Sequence, residues 1–282
     1  MFENIKSNLN INAELIDAHL AGYFDDCVHY SSVLSEAQRY SLIGGKKIRA
    51  FLVMEMCRIL GGDATVSIPY ACAIEMIHAS SLIHDDMPCM DNDLIRRGKP
   101  STHVEFGETA ALLAGDSLIA KAFLIISQNR KLSTEQNLKA VESLAFATGD
   151  RGMLAGQAID TLEDKKTEKF EELLKLHNLK TVRLISASVE LGCIAAGVRY
   201  NDSRFISAIS YAQKIGLAFQ IIDDILDYKD GKIEHNSFMS FMTLEEAEEY
   251  AERLTNEAIA EIEFFDNGNL AELARYLTVR EY

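Results

Sequence analysis

The chain has 282 residues, 48% of them hydrophobic, and a formal net charge of −15 at pH 7. A chain this acidic lacks the basic face that nucleic-acid binding needs, so we expect no nucleic-acid partner. No apolar run reaches the roughly 18 residues of a membrane-spanning helix, and the first residues lack the basic-then-apolar pattern of a signal peptide, so we expect neither a membrane span nor a secretory leader.

Nothing in the sequence divides the chain into separate domains. It has only three prolines, no Ser- or Pro-rich linker and no block of like charge, so long stretches are free to be helical. We therefore predict a single all-α domain over residues 1–282. The cysteines have no paired spacing, which indicates reduced thiols and a cytoplasmic location. They are Cys27, Cys57, Cys72, Cys89 and Cys193.

A basic segment follows a glycine pair near the start of the chain. It reads Gly44-Gly45-Lys46-Lys47-Ile48-Arg49. Glycine lets the backbone approach a ligand closely, and Lys46 and Arg49 lie three residues apart, on one side of a helix. Ammonium and guanidinium groups arranged in this way bind anions such as a diphosphate. The alternative is an exposed helix start with solvated charges, which this segment alone does not exclude.

The first of two aspartate clusters spans residues 84–91 and reads His-Asp-Asp-Met-Pro-Cys-Met-Asp. Carboxylates in apolar surroundings are costly unless they are paired or bind a metal. Asp85 and Asp91 are six residues apart, which would not align them on a regular helix. Because Pro88 interrupts or bulges the turn, it can bring Asp91 back toward Asp85.

The second aspartate cluster lies in the stretch Ile-Ile-Asp-Asp-Ile-Leu-Asp, which ends at Asp227. On a helix, Asp223 and Asp227 are one turn apart and share a face, with Asp224 beside them. The cluster alone could be a helix end whose carboxylates meet basic partners. Two such clusters far apart in sequence instead predict opposite walls of one metal-filled cavity. Mg²⁺ takes one or two carboxylates per site and completes its shell with water and substrate phosphate, so the cavity suits a diphosphate.

Local signals predict where several helices begin and end. Gly61-Gly62-Asp63 and Gly98-Lys99-Pro100 predict helix breaks. Thr243-x-x-Glu246 and Asn269-x-x-Glu272 are capping boxes and predict two helix starts. Apolar residues three and four apart predict one buried face after the first capping box. That face comprises Leu244, Ala247, Ala251, Leu254, Ala258, Ile262 and Phe265.

The order of these motifs is that of a known enzyme family. Between them stand Ile77-His78, Gly115-Asp116, Gly156-Gln157 with Asp160, and Lys180-Thr181. From residue 40 onward the chain resembles the trans-isoprenyl diphosphate synthases, which include the farnesyl and geranylgeranyl diphosphate synthases. The resemblance implies one large helical bundle around a deep central cavity, and a homodimer. It also implies that isopentenyl diphosphate is condensed with an allylic diphosphate.

The same resemblance implies a role for each motif residue. Asp85 and Asp91 would hold two Mg²⁺ ions and Asp223 a third, with Asp86, Asp224 and Asp227 as auxiliary ligands. The diphosphate of isopentenyl diphosphate would bind Lys46, Arg49, His78 and Arg97. The allylic diphosphate would face Arg96. The residues that would act catalytically, by stabilising that diphosphate or the neighbouring carbocation, are Lys180, Thr181 and Gln220. Gln157 and Asp160 would support the cavity, and the resemblance gives His84 no role.

The length of the product depends on residues that line the elongation cavity. In this family a bulky aromatic residue five positions before the first aspartate often forms a floor that stops growth near C15. Here Ser80 and Ser81 are both small, which predicts a deeper cavity and C20 product beside C15. The alternative is that other helices form the floor, through residues such as Met76 or Ile77.

The chain departs from the family pattern most clearly after Asp227. Many residues are missing before Ser237-Phe238, and no lysine matches the one on the mobile loop that normally closes over the diphosphate. Lys229 or Lys232 could replace it. We therefore expect a less well covered site, with weaker allylic binding than in relatives. Smaller departures are Ala50 and Val182, where proline and glycine are usual.

Three other functions compete with this interpretation. A class I terpene cyclase shares the aspartate-rich chemistry, but Lys46, Arg49 and His78 would then have no purpose. A metal phosphohydrolase could use His84-Asp85, but would leave the second aspartate cluster unexplained. A regulatory subunit of a heteromeric synthase would keep the fold with impaired closure, and the shortened segment after Asp227 is its only support.

Overall fold

The computed structural model describes residues 2–25, 30–162, 167–231, 236–266 and 268–279. Within these ranges the fold is all-α apart from one short hairpin, which confirms the predicted fold class. The helices are α1 (Glu3–Gly22), α2 (Ser32–Leu42), α3 (Ile48–Ile59), α4 (Ile68–Asp85), α5 (Thr102–Phe106), α6 (Glu108–Ser127), α7 (Thr134–Thr148), α8 (Met153–Leu162), α9 (Phe170–His177), α10 (Arg183–Ala195), α11 (Ser203–Lys229), α12 (Leu244–Ile262) and α13 (Asn269–Thr278). The strands are β1 (Ile95–Arg96) and β2 (Lys99–Pro100).

Helix α4 is apolar on all sides and buried along most of its length. It packs chiefly against α6 and also against α3, which is how a helix without a polar face is accommodated. Its buried Glu75 accepts a hydrogen bond from the Ala50 N–H of α3 at 3.0 Å. That N–H belongs to the first turn of α3, which has no partner within the helix. The start of α3 and the end of α4 are therefore held together, and both carry predicted site residues.

Two of the predicted helix boundaries are confirmed. Helix α3 ends at Ile59, next to the glycine pair at 61–62. At the start of α12, Thr243 and Glu246 form the predicted capping box: the Glu246 N–H donates to Thr243 Oγ1 at 3.3 Å, and the Thr243 N–H donates to Glu246 Oε2 at 2.8 Å. The predicted apolar face of α12 is buried from Ala247 to Ile262.

The capping box predicted at Asn269 is wrong. The residue that precedes α13 is Gly268, which has no side chain to cap the helix. Instead the carboxylate of Asp266 accepts hydrogen bonds from the N–H groups of Leu270 (3.4 Å) and Ala271 (3.0 Å). The Asn269 amide is engaged elsewhere, because it donates to Glu55 Oε1 at 2.8 Å. A carboxylate upstream of the helix thus does the work expected of Asn269.

The break predicted at Gly98-Lys99-Pro100 is a β-hairpin. Strands β1 and β2 pair antiparallel, with Arg96 opposite Lys99. The two residues between them, Arg97 and Gly98, have φ of 54° and 73°. Positive φ at both central residues is the requirement of a type I′ hairpin turn. The hairpin fixes the directions in which the side chains of Arg96 and Arg97 project from the backbone.

A π-helical segment, Asn178–Val182, joins α9 to α10. Helix α8 lies directly against it at Gly156. A Cβ placed on Gly156 would come within 2.3 Å of the Lys180 backbone nitrogen, a distance that only glycine avoids. π-Helical turns are rare and often occur at functional sites. This one carries Lys180 and Thr181.

Three helical stretches are long and apolar enough to cross a membrane, judged by length and composition in the described part of the chain. They are Ala64–Asp85, Glu108–Ser127 and Ser203–Lys229. The share of the apolar window buried inside the fold is 72%, 39% and 56%, respectively. The expected absence of a membrane span therefore stays a prediction. Helix α6 has the least covered apolar surface of the three.

The described cysteines are free thiols, and Cys27 lies outside the described residues. Cys57, Cys72 and Cys193 are buried, whereas Cys89 is exposed. Burial raises the pKa of the Cys57 thiol to about 11, so this side chain is a neutral part of the core. The described thiols are unpaired, as their spacing predicts, and the cytoplasmic location stays a prediction.

Candidate active site

The first aspartate cluster folds back on itself where α4 ends. The Asp91 N–H donates to the Asp85 carbonyl oxygen at 2.9 Å, and the Asn92 N–H donates to the Met87 carbonyl oxygen at 3.1 Å. The helix stops at Asp85, before Pro88. Asp91 thus returns to Asp85, as the proline predicts, through a tight turn and not a bulge within a continuing helix.

The carboxylates of this turn are electrostatically strained. Burial raises the pKa of Asp85 to about 6, the charges of Asp91 and Asp86 add to the rise, and the Lys180 ammonium opposes it. Burial likewise raises the pKa of Asp91. A cation between the two carboxylates would relieve this strain, and their hard oxygen atoms suit Mg²⁺. No three metal-binding side chains converge on one point in the described ranges, so a bound ion would also need oxygen atoms from substrate or water.

Asp86 is committed to an arginine. It is 2% exposed and accepts hydrogen bonds from Nε of Arg96, at 2.9 Å, and from its Nη2. Nη2 of Arg96 also lies 2.8 Å from Asp93 Oδ2. The two aspartates therefore orient the guanidinium that is predicted to face the allylic diphosphate. The auxiliary metal role of Asp86 stays a prediction.

In the second cluster, Asp224 takes part in a network of hydrogen bonds with Gln220 and Thr181. Its Oδ1 accepts from Gln220 Nε2 at 2.9 Å, and its Oδ2 accepts from the Phe238 N–H at 2.7 Å. Oε1 of Gln220 in turn accepts from the Thr181 hydroxyl at 2.8 Å. This network fixes the side chains of Thr181 and Gln220, two of the three predicted catalytic residues. For Asp224 to bind metal as predicted, it would have to share oxygen atoms that these donors already use.

Asp223 and Asp227 lie on α11 and are partly buried. The charge of Asp223 acts on Arg49, opposing the fall in the Arg49 pKa that burial causes. Asp223 therefore lies within electrostatic reach of Arg49. The arrangement of the two aspartate clusters as opposite walls of one cavity stays a prediction. The metal roles of Asp223 and Asp227 stay predictions.

Lys180 is paired with Asp160. Its Nζ lies 2.5 Å from Asp160 Oδ2. Burial alone would lower the pKa of Lys180, but Asp160, Asp85 and Asp91 raise it above its usual value. The ammonium is therefore charged and lies close to the first aspartate cluster. This is the position from which it can bind a diphosphate held by that cluster.

The glycine pair of the basic segment packs against an arginine. Gly44 and Gly45 have φ of 87° and 79°. Nη1 of Arg97 donates to the Gly44 carbonyl oxygen at 3.2 Å, and a Cβ on Gly45 would lie 3.0 Å from the carbon of the Arg97 guanidinium. Lys46 is exposed beside this loop, and its Nζ lies 5.0 Å from the ring centre of Tyr276.

Lys47 has a structural role that the sequence does not indicate. It is 4% exposed, and its ammonium contacts the carbonyl oxygens of Leu42 and Gly44 and Asp17, at 3.2 Å. The lysine thereby stabilises the glycine loop immediately before α3. Lys46 is exposed and Lys47 is buried, and the sequence alone does not show which of the two adjacent lysines is the buried one.

Arg49 and His78 form the half-buried part of the basic group. Nε of Arg49 is buried and has no hydrogen-bond partner within the described ranges; an anion would satisfy such a donor. Burial, together with the charges of Arg49 and Arg97, holds the pKa of His78 well below its usual range. His78 is therefore neutral and can donate a hydrogen bond without adding a further positive charge.

One cavity of about 200 Å³ is lined by some of the predicted site residues, but by none of the second aspartate cluster. Its lining includes Arg49 and His78 from the isopentenyl-diphosphate group, Asp85 from the metal group, and Lys180 and Thr181 from the allylic group. Other lining residues are Ser80, Ser81, His84, Gln157, Met90, Ile119, Thr148, Met153, Leu154 and Leu184. Charged groups and an apolar wall thus share one space, as a substrate with a diphosphate head and a hydrocarbon tail requires.

A second cavity, of about 570 Å³, lies behind α11 and shares no lining residue with the first. Ile222, Ile225 and Leu226 of α11 line it, together with Lys229. The Lys229 ammonium lies 2.8 Å from Glu248, so Lys229 is engaged on this side of α11. The other candidate for the missing loop lysine, Lys232, lies outside the described residues.

The comparisons with known proteins agree with this geometry. The family profile described as polyprenyl synthetase matches residues 31–238. A geranylgeranyl diphosphate synthase of Cyanophora paradoxa is 43% identical over 245 residues, which are 81% of each chain. A farnesyl diphosphate synthase of Geobacillus stearothermophilus is 42% identical over 227 residues, or 79% of this chain and 75% of that one.

The fold is also found among solved structures. The apo structure of an FPP/GFPP synthase from Zymomonas mobilis matches with a TM-score of 0.90 and 37% identity, covering 99% of this chain and all of that one. A geranyltransferase from Legionella pneumophila matches with a TM-score of 0.83 and 31% identity, covering 96% and 97%. On the family match, these relatives and the motifs assembled in the cavity, the chain belongs to the polyprenyl synthetase family of trans-prenyl diphosphate synthases.

Proposed function

We propose that the protein condenses isopentenyl diphosphate with an allylic diphosphate in a Mg²⁺-dependent reaction, and that its products are C15 and C20 prenyl diphosphates. The observation that carries this proposal is the shared cavity. Arg49 and His78 line it together with Asp85, Lys180 and Ser80. A terpene cyclase needs no second cationic group, and a phosphohydrolase needs no long apolar wall.

The residues of the cavity divide the work between the two substrates. Arg49, with its unpartnered buried donor, and Arg97 hold the diphosphate of isopentenyl diphosphate, and Lys46 reaches it from the surface. Arg96 and Lys180 hold the allylic diphosphate. Bound Mg²⁺ supplies positive charge that helps the allylic diphosphate to depart, and Asp85 with Asp91 would hold it on one wall.

The reaction has three steps: the allylic C–O bond breaks, the double bond of isopentenyl diphosphate attacks the allylic cation, and a proton is lost to the departing diphosphate. Thr181 lines the cavity together with Lys180, and its hydroxyl donates to Gln220 Oε1. In this proposal the dipoles of the two side chains stabilise the cation. Ile119, Met153 and Leu184 exclude water that would otherwise capture it.

The function is tested by incubating the purified protein with Mg²⁺, isopentenyl diphosphate and one of three primers, dimethylallyl, geranyl or farnesyl diphosphate. We expect elongated diphosphates with each primer that is shorter than the final product. Cyclic hydrocarbons would identify a cyclase, and alcohols formed without elongation would identify a hydrolase. If nothing forms unless a second synthase subunit is added, the protein is a regulatory subunit.

Product length depends on Ser80. This residue is 1% exposed, lines the cavity, and its hydroxyl donates to the Ile77 carbonyl oxygen at 2.8 Å. A small side chain tied to its own helix leaves space beside it. We expect Ser80→Tyr to fill that space and shift the products from C20 toward C15, as measured by chromatography of the dephosphorylated products.

Ser80→Ala is the matched control, because it removes the hydroxyl but keeps the space, and should leave the product distribution unchanged. An unchanged distribution in both Ser80→Tyr and Ser80→Phe would locate the floor elsewhere. Met76 and Ile77, expected above on other helices, lie on α4 with Ser80 and are the next candidates.

Arg97 contributes binding more than turnover in this proposal. We expect Arg97→Ala to raise the KM for isopentenyl diphosphate by about tenfold with little change in kcat, because a contact equal in ground and transition states appears in KM. Steady-state kinetics with each substrate varied in turn measures the effect. Arg204→Ala, which removes a surface arginine paired with Asp202, serves as control. A selective rise in the allylic KM would exchange the two diphosphate sites.

The protein acts as a homodimer in this proposal, with α6 at the interface. Leu112, Leu113 and Leu124 of this helix are 46%, 51% and 45% exposed, and an apolar surface of this kind is often covered by a partner. The expected molar mass in solution is twice 31.4 kDa, measured by light scattering. A monomer that is fully active would remove the dimer from the proposal.

A further inference from the structure

Asn236 is the last residue of the shortened segment after α11, and its side chain contacts Asp160, the partner of Lys180. Its Nδ2 donates to Asp160 Oδ1 at 2.8 Å, while the other oxygen of Asp160 holds the Lys180 ammonium at 2.5 Å. Each carboxylate oxygen of Asp160 therefore has its own partner. Asn236 is 76 residues away from Asp160 along the chain, so no local sequence pattern pairs the two.

The orientation of the Asn236 amide is fixed by its other end. Its Oδ1 accepts hydrogen bonds from the Thr167 N–H at 3.1 Å and from the Thr167 hydroxyl at 3.2 Å. A backbone N–H is only a donor, so the oxygen of the amide must face Thr167 and the NH₂ group must face Asp160. Thr167 is 8% exposed, which keeps water from competing for these contacts.

The carboxylate of Asp160 is in turn held as an anion. Burial would raise its pKa, but Lys180 and the amide of Asn236 lower it below the usual value. Hydrogen bonds thus connect Thr167 to Asn236, Asn236 to Asp160, and Asp160 to Lys180. Lys180 is the residue that we assign to the allylic diphosphate.

Lys180 has alternative partners if this connection is broken. The charges of Asp85 and Asp91 act on its ammonium, although Asp160 is the carboxylate in direct contact. Once Asp160 is free to rotate, the ammonium is no longer held at one place and is drawn toward the first aspartate cluster. There it would compete with the metal ion for the same carboxylates and leave the position that binds the allylic diphosphate.

We propose that Asn236 is a positioning residue, which acts through Asp160 to fix the Lys180 ammonium for the allylic diphosphate. The inference rests on the proposed function in one respect, the substrate that Lys180 binds. It also gives the end of the shortened segment a purpose, because Asn236 contributes to the site through its amide.

The test compares Asn236→Ala with the wild type in the full-length protein. We expect kcat/KM for the allylic diphosphate to fall by about tenfold, the size of one charge-assisted hydrogen bond, and the KM for isopentenyl diphosphate to stay within twofold. The apparent Mg²⁺ requirement should rise. Ser237→Ala is the matched control, because it removes a hydroxyl bonded to the Met239 N–H in the same segment but does not touch Asp160.

A second measurement needs neither metal nor substrate. Acetylation of Lys180 by acetic anhydride in the free protein, followed by peptide mass spectrometry, reports how firmly the ammonium is held. We expect the acetylation rate to rise several-fold in Asn236→Ala and to stay at the wild-type value in Ser237→Ala. Labelling of Lys214, which is paired with Glu261 at 2.6 Å, provides an internal reference.

A double-mutant cycle identifies the route of the effect. If Asn236 acts through Asp160, adding Asn236→Ala to Asp160→Ala should change neither allylic kcat/KM nor Lys180 labelling further. Equal losses in Asn236→Ala and Ser237→Ala, or additive losses in the double variant, would overturn the proposal. A wild type that makes no prenyl product would overturn the proposed function instead, and the labelling result would still decide whether Asn236 positions Lys180.

Discussion

Replacing Asp85 with alanine is expected to lower turnover by roughly a thousandfold or more, because the change removes charge stabilisation that operates in the transition state. Asp85 ends α4, and Asp91 is folded back onto it by the hydrogen bond between their backbones. The loss should appear mainly in kcat. Asp223→Ala, in the cluster predicted to form the opposite wall, should have a similar effect.

The raised pKa of Asp85 adds a pH dependence with a definite sign. Its carboxyl group has a pKa of about 6 in the metal-free protein, so the ligand form predominates above pH 6 and is lost as the pH falls through that value. Because a bound metal requires the deprotonated group, the Mg²⁺ concentration for half-maximal rate should rise as the pH falls from 7 to 5. The rise should be smaller in Asp85→Ala, where the raised pKa of Asp91 still contributes.

The control for both aspartate variants is Asp230→Ala. Asp230 is exposed at the end of α11, so its removal changes net charge equally but leaves the cavity untouched. Near-normal turnover in either Asp85→Ala or Asp223→Ala would contradict the metal assignment. Substantial wild-type activity in excess EDTA would contradict it as well.

What the sequence could predict was local. The return of Asp91 to Asp85 follows from Pro88, and the start of α12 follows from Thr243 and Glu246, because each depends on residues only a few positions apart. The aspartate pairs also signal their own chemistry, since desolvated carboxylates need a cation. These features give the outline of the site, whereas the fold class follows from the scarcity of proline and the absence of linkers.

What the sequence could not predict depends on distant partners. Asn236 orients Asp160 across 76 residues. Glu55 engages Asn269 across 214 residues, and Asp266 caps α13 in its place. A local pattern shows which hydrogen bonds a side chain is able to form. It does not show which residues, distant in sequence, the side chain contacts in the fold. The capping box predicted at Asn269 is wrong for that reason.

The same distinction applies to the π-helical segment that carries Lys180 and Thr181. Gly156-Gln157 can be recognised as a motif, but the need for glycine comes from the backbone of Lys180, on a different helix. A Cβ on Gly156 would lie 2.3 Å from the nitrogen of Lys180 and 2.6 Å from its Cα. Both are backbone atoms, which cannot swing aside as the end of a side chain can.

Gly156→Ala is therefore expected to force α8 and the π-helical segment apart. We expect a loss of about 1–3 kcal/mol in the free energy of unfolding, the usual cost of overpacking a core. We also expect kcat/KM to fall by roughly a hundredfold, since displacing catalytic groups by about 1 Å has that effect. Urea denaturation and steady-state kinetics at a temperature where the variant is folded measure the two quantities separately.

Two other glycines separate lost stability from lost positioning. Gly192→Ala also meets backbone and side-chain atoms, 2.6 Å from the Val53 carbonyl oxygen, but none of those atoms belongs to Lys180, so it should lower stability with a much smaller loss of activity. Gly22→Ala has nothing within 4 Å and should be neutral or slightly stabilising, as alanine is favoured over glycine in a helix. If Gly156→Ala and Gly192→Ala lost activity equally at equal folded fraction, the contact with Lys180 would have no special role, and α8 would contribute to catalysis only by keeping the protein folded.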